Sequence, residues 1–400
     1  MAPTLAAVMA APHAKLSAHS RPKLPAFSWD RLPVFLHTQN ASGPWSEAAL
    51  KRIGEFPLVT LEKSHNQPAQ REGHRLDKTT GEACVAIHAV APDTKVLYYT
   101  NTEMLYGCDP LHDAAAADPS LILKDAHGAN VVFPGCELDC YNVASEAARW
   151  RFVESCVNTT MPENGGCDGC FLDRATTQPW PACGGCPHTE ANSSAFVSGH
   201  EAQIYNTNAK LIETTGAFAL FNNPGPVDDP GRMREDGTAA MLEEWTASEE
   251  YILRLQALAR GGKLVEAHAG NRQGGSDNFC ESITNSLAAF LIGMGEQHYY
   301  HCSSGKTAFG IAGKWSTNPR WPDAPDEWLD HRPEYGRPLG APLGDGAKGP
   351  DGVWRRSFSS GTNVSFVSLA NGTAGNGTIA WADGHTQRGF PTNQSQRASY

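Results

Sequence analysis

Short apolar runs, each ending on a polar side chain, recur along the first three quarters of the chain and alternate with longer stretches of helical periodicity. Eight runs read as strands: LPVFLH ending at His37, PLVTLE at Glu62, KVLYY at Tyr99, GCFLD at Asp173, AFALF at Phe221, TAAMLEE near Glu243, KLVEAH at His268 and QHYYH at His301. Between them SEAALKRIGEF, SEAARWRFVESCV and SEEYILRLQALARGG open on serines suited to N-capping, Ser46, Ser145 and Ser248. The last of these ends on a glycine pair suited to stopping a helix. This alternation predicts βα units of the α/β class, and eight is the strand number of a closed (β/α)8 TIM barrel. A Pro-, Ala- and Ser-rich lead over residues 1–25, a targeting or unstructured segment, precedes a barrel expected over 26–330. From about Tyr335 the texture changes to β-type runs broken by Gly, Asn and Asp: GVWRRSFSSG, NVSFVSLANG and GTIAWADGHTQRG. They predict a small antiparallel β module over 331–400.

Composition narrows the class. The 400 residues hold a barrel of about 250 residues with room for long excursions. A net charge of −11 without a basic stripe argues against a nucleic-acid partner. No window reaches the ~18 consecutive apolar residues of a transmembrane helix. Eleven cysteines, an odd number, and seven N-x-[ST] sequons, at Asn40, Asn158, Asn192, Asn363, Asn371, Asn376 and Asn393, point to a secretory, oxidising compartment. Against this, the first basic residue, Lys15, follows the short apolar patch of the N-terminus instead of preceding it. Most cysteines fall between the third and fifth strands, which predicts local bridging of one excursion.

In a barrel, side chains at strand ends face the rim where ligands bind. That rim carries His37, Glu62, Asn101, Asp173, Asn222, Glu243, Glu266, His268 and His301. A single strand-end carboxylate is more often structural than functional, but Asp173 and Glu243 each close an apolar run, a setting that shifts acidity. Two carboxyl groups across a cleft are what glycosidic cleavage needs: one protonates the leaving oxygen, the other attacks the anomeric carbon or activates water. Tyr98, Tyr99, Trp180, Trp245 and Tyr299 lie near the same loops and could stack on sugar faces, although strand tyrosines more often pack in cores. The candidate catalytic pair is therefore Asp173 and Glu243. The candidate substrate-binding set is His37, Glu62, Tyr99, Asn101, Arg174, Asn222, Trp245, Glu266, His268 and His301.

The order YNVASEAARWRFVESCV, GCDGCFLDRA, AMLEEW and then YGRPLGAPLGDG with GVWRRSFSSGTNVSFV resembles TIM-barrel glycoside hydrolases related to endo-α-1,4-polygalactosaminidase. The resemblance runs from about Pro33 and is sharpest in two short windows. It implies Asp173 as nucleophile or base and Glu243 as general acid, an oligo- or polysaccharide substrate and no cofactor. In MLEEW only one of Glu243 and Glu244 can face the barrel mouth, and the spacing to Trp245 selects Glu243. The rival readings are a non-catalytic barrel that binds glycan or serves as a cell-surface structural protein, and a zinc protein.

The zinc reading rests on Cys167, Cys170, Cys183 and Cys186, two CxxC pairs twelve residues apart, a zinc-ribbon spacing. The first pair opens an apolar strand destined for the barrel wall, and the sequons favour oxidation, so disulfides are the expected state and no metal site is assigned. His188 and His200 read as loop and helix-surface residues. Neither a GxxxxGK[ST] phosphate loop nor a G-x-S-x-G elbow is present.

Overall fold

The computed structural model of the chain describes residues 21–63, 65–133, 138–176, 194–225, 232–245, 247–269, 283–302, 311–312, 332–369 and 375–389. All eight expected strands form: β1 (Leu36–Asn40), β2 (Leu58–Leu61), β3 (Lys95–Asn101), β4 (Gly169–Asp173), β5 (Phe218–Asn222), β6 (Ala239–Trp245), β7 (Leu264–Ala269) and β8 (His298–Cys302). They pair in parallel and in chain order. The ring closes where Val34, ahead of β1, bridges Tyr300 of β8, whose N–H donates to the Pro33 carbonyl at 2.9 Å. Beyond the eight, the short β9 (Ile311–Ala312) extends the wall beside Gln39 and Asn40.

Helices α1 (Glu47–Ile53), α2 (Leu76–Val90), α3 (Glu146–Thr160), α4 (Ser194–Thr215), α5 (Glu249–Arg260) and α6 (Thr284–Gly293) fill the crossovers. Ser46, Ser145 and Ser248 cap α1, α3 and α5 by accepting from the N–H three residues on, at 3.3, 3.4 and 3.3 Å. Between β5 and β6 the described residues hold no helix, a departure from the regular (β/α)8 plan. The excursion after β3 carries its own helix, Pro110–Ala117, and a two-stranded ribbon, Val132–Phe133 with Leu138–Asp139.

Strand periodicity sorts the side chains. Phe35, Leu58, Leu97, Tyr99, Phe171, Leu220, Met241, Leu264 and Tyr299 form one apolar cluster that fills the barrel interior. Their sequence neighbours Tyr98, Cys170, Leu172 and Phe221 pack outward with α3 and α4 residues, and Val265, Ala267 and Tyr300 with α5 and α6. Gly169 has to be glycine, because a Cβ there would collide with the Phe218 carbonyl oxygen.

The C-terminal sheet is an antiparallel meander of β10 (Ala347–Lys348), β11 (Val353–Ser357), β12 (Asn363–Ser368), β13 (Gly375–Ala380) and β14 (Thr386–Arg388). Trp354, Val364, Phe366 and Ile379 join Leu287, Ala288 and Leu291 of α6 in one cluster, each large side chain contributing about 1.5–3 kcal/mol by burial. Gly377 permits the close approach to α6, since a Cβ would meet that of Ala288. Buried Arg356 donates to the carbonyls of Leu291 at 3.1 Å and Met294 at 2.5 Å, capping the C-terminal end of α6 from the sheet.

The cysteines correct one expectation. Cys84 on α2 is bonded to Cys167, just ahead of β4, across 83 residues, so this bridge is not local to one excursion. Cys140 and Cys302 are also disulfide-bonded. Among the described residues Cys108, Cys156 and Cys170 are free thiols, and no helix is long and apolar enough to cross a membrane.

Candidate active site

Above the apolar filling of the barrel, the same alternation continues into polar residues. On β3 to β6 the last inward positions are Asn101, Asp173, Asn222 and Glu243, and they touch one another. Asp173 Oδ2 accepts from the Tyr99 hydroxyl at 2.5 Å and from Asn101 Nδ2 at 3.1 Å. Its Oδ1 accepts from the Arg174 N–H and from Asn222 Nδ2, both at 2.9 Å. Asn222 Nδ2 gives its second proton to Glu243 Oε2, also at 2.9 Å. One amide nitrogen therefore bridges the two acids, and those two oxygens are at most twice 2.9 Å, about 5.8 Å, apart. Asn101 is oriented unambiguously, because its Oδ1 accepts from the N–H groups of Glu103 and Met104.

The backbone is bent to make these contacts. Arg174 and Asn223, each directly after a site residue, take left-handed conformations at φ 59 and 48 that non-glycine residues avoid. The bend aims the Arg174 N–H at Asp173. It also lets Asn223 Oδ1 accept from the Glu243 N–H at 2.9 Å. The Arg174 guanidinium turns away from Asp173: its Nε bonds Glu103 Oε2 at 3.1 Å and its head lies 4.9 Å over the Phe133 ring.

On β7, β8, β1 and β2 the rim is built differently. His37 stands between two carboxylates, Nδ1 at 3.3 Å from Glu62 and Nε2 at 2.9 Å from Glu266, with all three side chains at most 3% exposed. Burial works against a charged imidazole, but Glu266 and Glu62 outweigh it and hold the His37 pKa up at about 9. Burial pushes Glu266 up against the pull of His37. Glu62, likewise buried, is nonetheless held below the usual carboxylate range by Lys63 and His37. His301 is buried and, with charged His37 nearby, driven down to about 3, so its ring stays neutral. His268 is buried beside it, paired across β7 and β8.

Other residues fall where the sequence left them open or elsewhere. Tyr98 packs outward and Tyr299 lies in the apolar interior, bonded to Gln297 at 3.0 Å. His200 is buried, not on the helix surface, with Nε2 at 2.8 Å from Thr102 Oγ1, which in turn is 2.9 Å from the carbonyls of Asp173 and Arg174. Trp180, His188, Cys183, Cys186 and the side chains of Glu244 and Trp245 lie outside the described residues. Cys167 is consumed by Cys84, and Cys170 is buried with its Sγ 3.6 Å from the Cys156 carbonyl, so the first CxxC pair is not arranged around a metal. Sequence reasoning missed Lys63, Tyr106, Glu103 and Thr102. Lys63 carried the one available signal, a cation adjoining a strand-end acid.

Among solved structures the chain is similar to a maltogenic α-amylase from Thermotoga neapolitana, at 10% identity over 89% of this chain and 93% of that one, TM-score 0.49. It is similar also to an α-amylase from Geobacillus thermoleovorans complexed with acarbose, at 12% identity over 92% and 96%, TM-score 0.47. With an α-galactosidase from Thermus thermophilus it shares 15% identity over 51% of this chain and only 40% of that one, TM-score 0.31. Likeness this distant carries no argument about substrate. The chain has no match among curated proteins. A family model matches residues 88–362, well over half of the chain and including Asp173 and Glu243, and on that ground the chain belongs to hypothetical glycosyl hydrolase family 15, a barrel of the glycoside hydrolase class.

Proposed function

We propose that the chain is a retaining glycoside hydrolase of an oligo- or polysaccharide, with Asp173 as nucleophile and Glu243 as general acid and base. The observation that carries this reading is the single Asn222 nitrogen donating to both carboxyl groups. It keeps their facing oxygens within about 5.8 Å, near the ~5–5.5 Å of retaining pairs and short of the ~6.5–9.5 Å that inverting enzymes need for an intervening water. Four hydrogen-bond donors on Asp173, from Tyr99, Asn101, the Arg174 N–H and Asn222, favour its ionised form. In the first step Asp173 attacks the anomeric carbon while the Glu243 carboxylic acid protonates the departing oxygen, leaving a glycosyl ester on Asp173. In the second step Glu243, now a carboxylate, takes a proton from water, whose oxygen attacks the same carbon and frees Asp173.

The roles separate by leaving group. With Glu243→Gln, 2,4-dinitrophenyl glycosides, whose leaving group needs no proton, should still form the glycosyl ester at near wild-type rate, whereas turnover of alkyl glycosides should fall by about 10²–10⁴-fold. Equal losses on both would remove Glu243 as the acid.

We propose further that the protein passes through the secretory pathway. The Cys84–Cys167 bridge and the oxidised Cys140 and Cys302 support it, as do sequon asparagines exposed at Asn158 and Asn363. A loss of mass on treating the native protein with an N-glycanase, smaller in Asn158→Gln/Asn363→Gln, is the expected result; an equal loss in both, or none, would count against glycosylation at these two sites.

A further inference from the structure

Lys63 belongs to neither the β3–β6 set nor the His37 cluster, yet touches both. It follows Glu62 at the end of β2, is 28% exposed, and its Nζ lies 3.1 Å from Glu62 Oε2. The same ammonium stands 4.2 Å from the centre of the Tyr99 ring and 5.8 Å from that of Tyr106. Tyr99 is the residue whose hydroxyl reaches Asp173 at 2.5 Å. A cation on an aromatic face is held there electrostatically, so Lys63 pins the ring that aims the hydroxyl. It also draws electron density from the phenol, making the hydroxyl a stronger donor, and a nearby positive charge favours the ionised form of a carboxylate.

Building on the assignment of Asp173 as nucleophile, we propose that Lys63 is a positioning residue of the reaction: through the ring of Tyr99 it keeps the Asp173 carboxylate ionised and aimed, without touching the reacting atoms. The groups bonded to Asp173 include Tyr99 and Asn101 from β3, the Arg174 N–H, Asn222 from β5 and, across that amide, Glu243 from β6. Those around Lys63 are Glu62, Tyr99, Tyr106 and Cys108, whose thiol is pushed up to about 11 by burial and is therefore neutral. The Arg174 guanidinium is engaged by Glu103, and Lys63 brings a positive charge within electrostatic reach of Asp173. Burial disfavours the Lys63 ammonium, but Glu62, Tyr106 and Asp173 outweigh it, so the charge persists through the neutral range.

The test needs no substrate. In the full chain carrying ¹³C at the aspartate carboxyls, the Asp173 resonance is the one lost in Asp173→Asn, and its titration midpoint is read by NMR. Lys63→Met and Lys63→Gln, the latter retaining a donor for Glu62, should each raise that midpoint by about one pH unit, and Lys63→Arg should return it to the wild-type value. A purely structural role for Lys63 would leave the midpoint in place, and an unmoved midpoint in both neutral variants overturns the proposal. The underlying assignment is judged separately: full turnover of 2,4-dinitrophenyl glycosides by Asp173→Asn would remove Asp173 as nucleophile, and the purpose given to Lys63 with it.

Discussion

The two halves of the rim use the same residue types at the same strand positions to opposite ends. Along β3 to β6, Asp173 and Glu243 share the neutral amide of Asn222, and Asp173 also accepts from the Tyr99 hydroxyl and the Asn101 amide. Along β7, β8, β1 and β2, Glu266 and Glu62 are met by a charged His37 and by Lys63. A carboxylate held by dipoles keeps its charge and its reactivity. One held by a buried cation spends its charge on that partner. We therefore read the first half as the reacting centre and the second as the buried scaffold that fixes the barrel mouth.

The sharpest way to break this comparison is to remove one acid from each half. Asp173→Asn should cut turnover by about a thousandfold with an unchanged melting temperature, whereas Glu266→Gln should lower the melting temperature and leave most of the turnover; the reverse pattern, read on aryl glycosides beside calorimetry, would invert the assignment. Next in size is His37→Gln, which removes the cation shared by the buried Glu266 and Glu62 and leaves Lys63 on Glu62 alone. Urea denaturation at pH 7 should show a loss of about 3–5 kcal/mol, and an unmoved midpoint would mean that the cluster is not ionised as described.

A smaller effect comes from pH. His37 titrates at about 9 in the folded chain against 6.5 ordinarily, so its contribution to stability is complete below pH 6.5 and is lost as pH rises through 9. The expected loss is on the order of 3 kcal/mol, followed by urea midpoints from pH 6 to 10, and the slope should vanish in His37→Gln. Smallest is Tyr99→Phe. Removing a hydroxyl bonded to a charged acceptor should cost about 1.5–3 kcal/mol in transition-state stabilisation, roughly ten- to a hundredfold in kcat. Wild-type kcat would show that the 2.5 Å contact does not serve the reaction.

Much of this arrangement is legible in the residues themselves. Each strand announces itself as an apolar run, and two-residue periodicity places Asp173 in phase with Phe171, Asn222 with Leu220 and Glu243 with Met241, all facing inward. The capping serines mark their helices for the same local reason. What periodicity could not separate was which rim acids are sealed. Glu266 has the same phase as Glu243, and its burial follows from His37 and Glu62 more than 200 positions earlier in the chain. Long-range pairing also hid the Cys84–Cys167 bridge, since the twelve-residue gap between the CxxC pairs drew attention to a local partner. Lys63 and Thr102 act through contacts to other strands, and nothing in their immediate sequence encodes those contacts.

The central claim, that chemistry belongs to the half where Asn222 links Asp173 and Glu243, is tested most directly by trapping the glycosyl ester. Incubating the chain with a panel of 2,4-dinitrophenyl 2-deoxy-2-fluoroglycosides and mapping the adduct by peptide mass spectrometry should place the sugar on Asp173. An adduct on Glu62 or Glu266 would contradict the account.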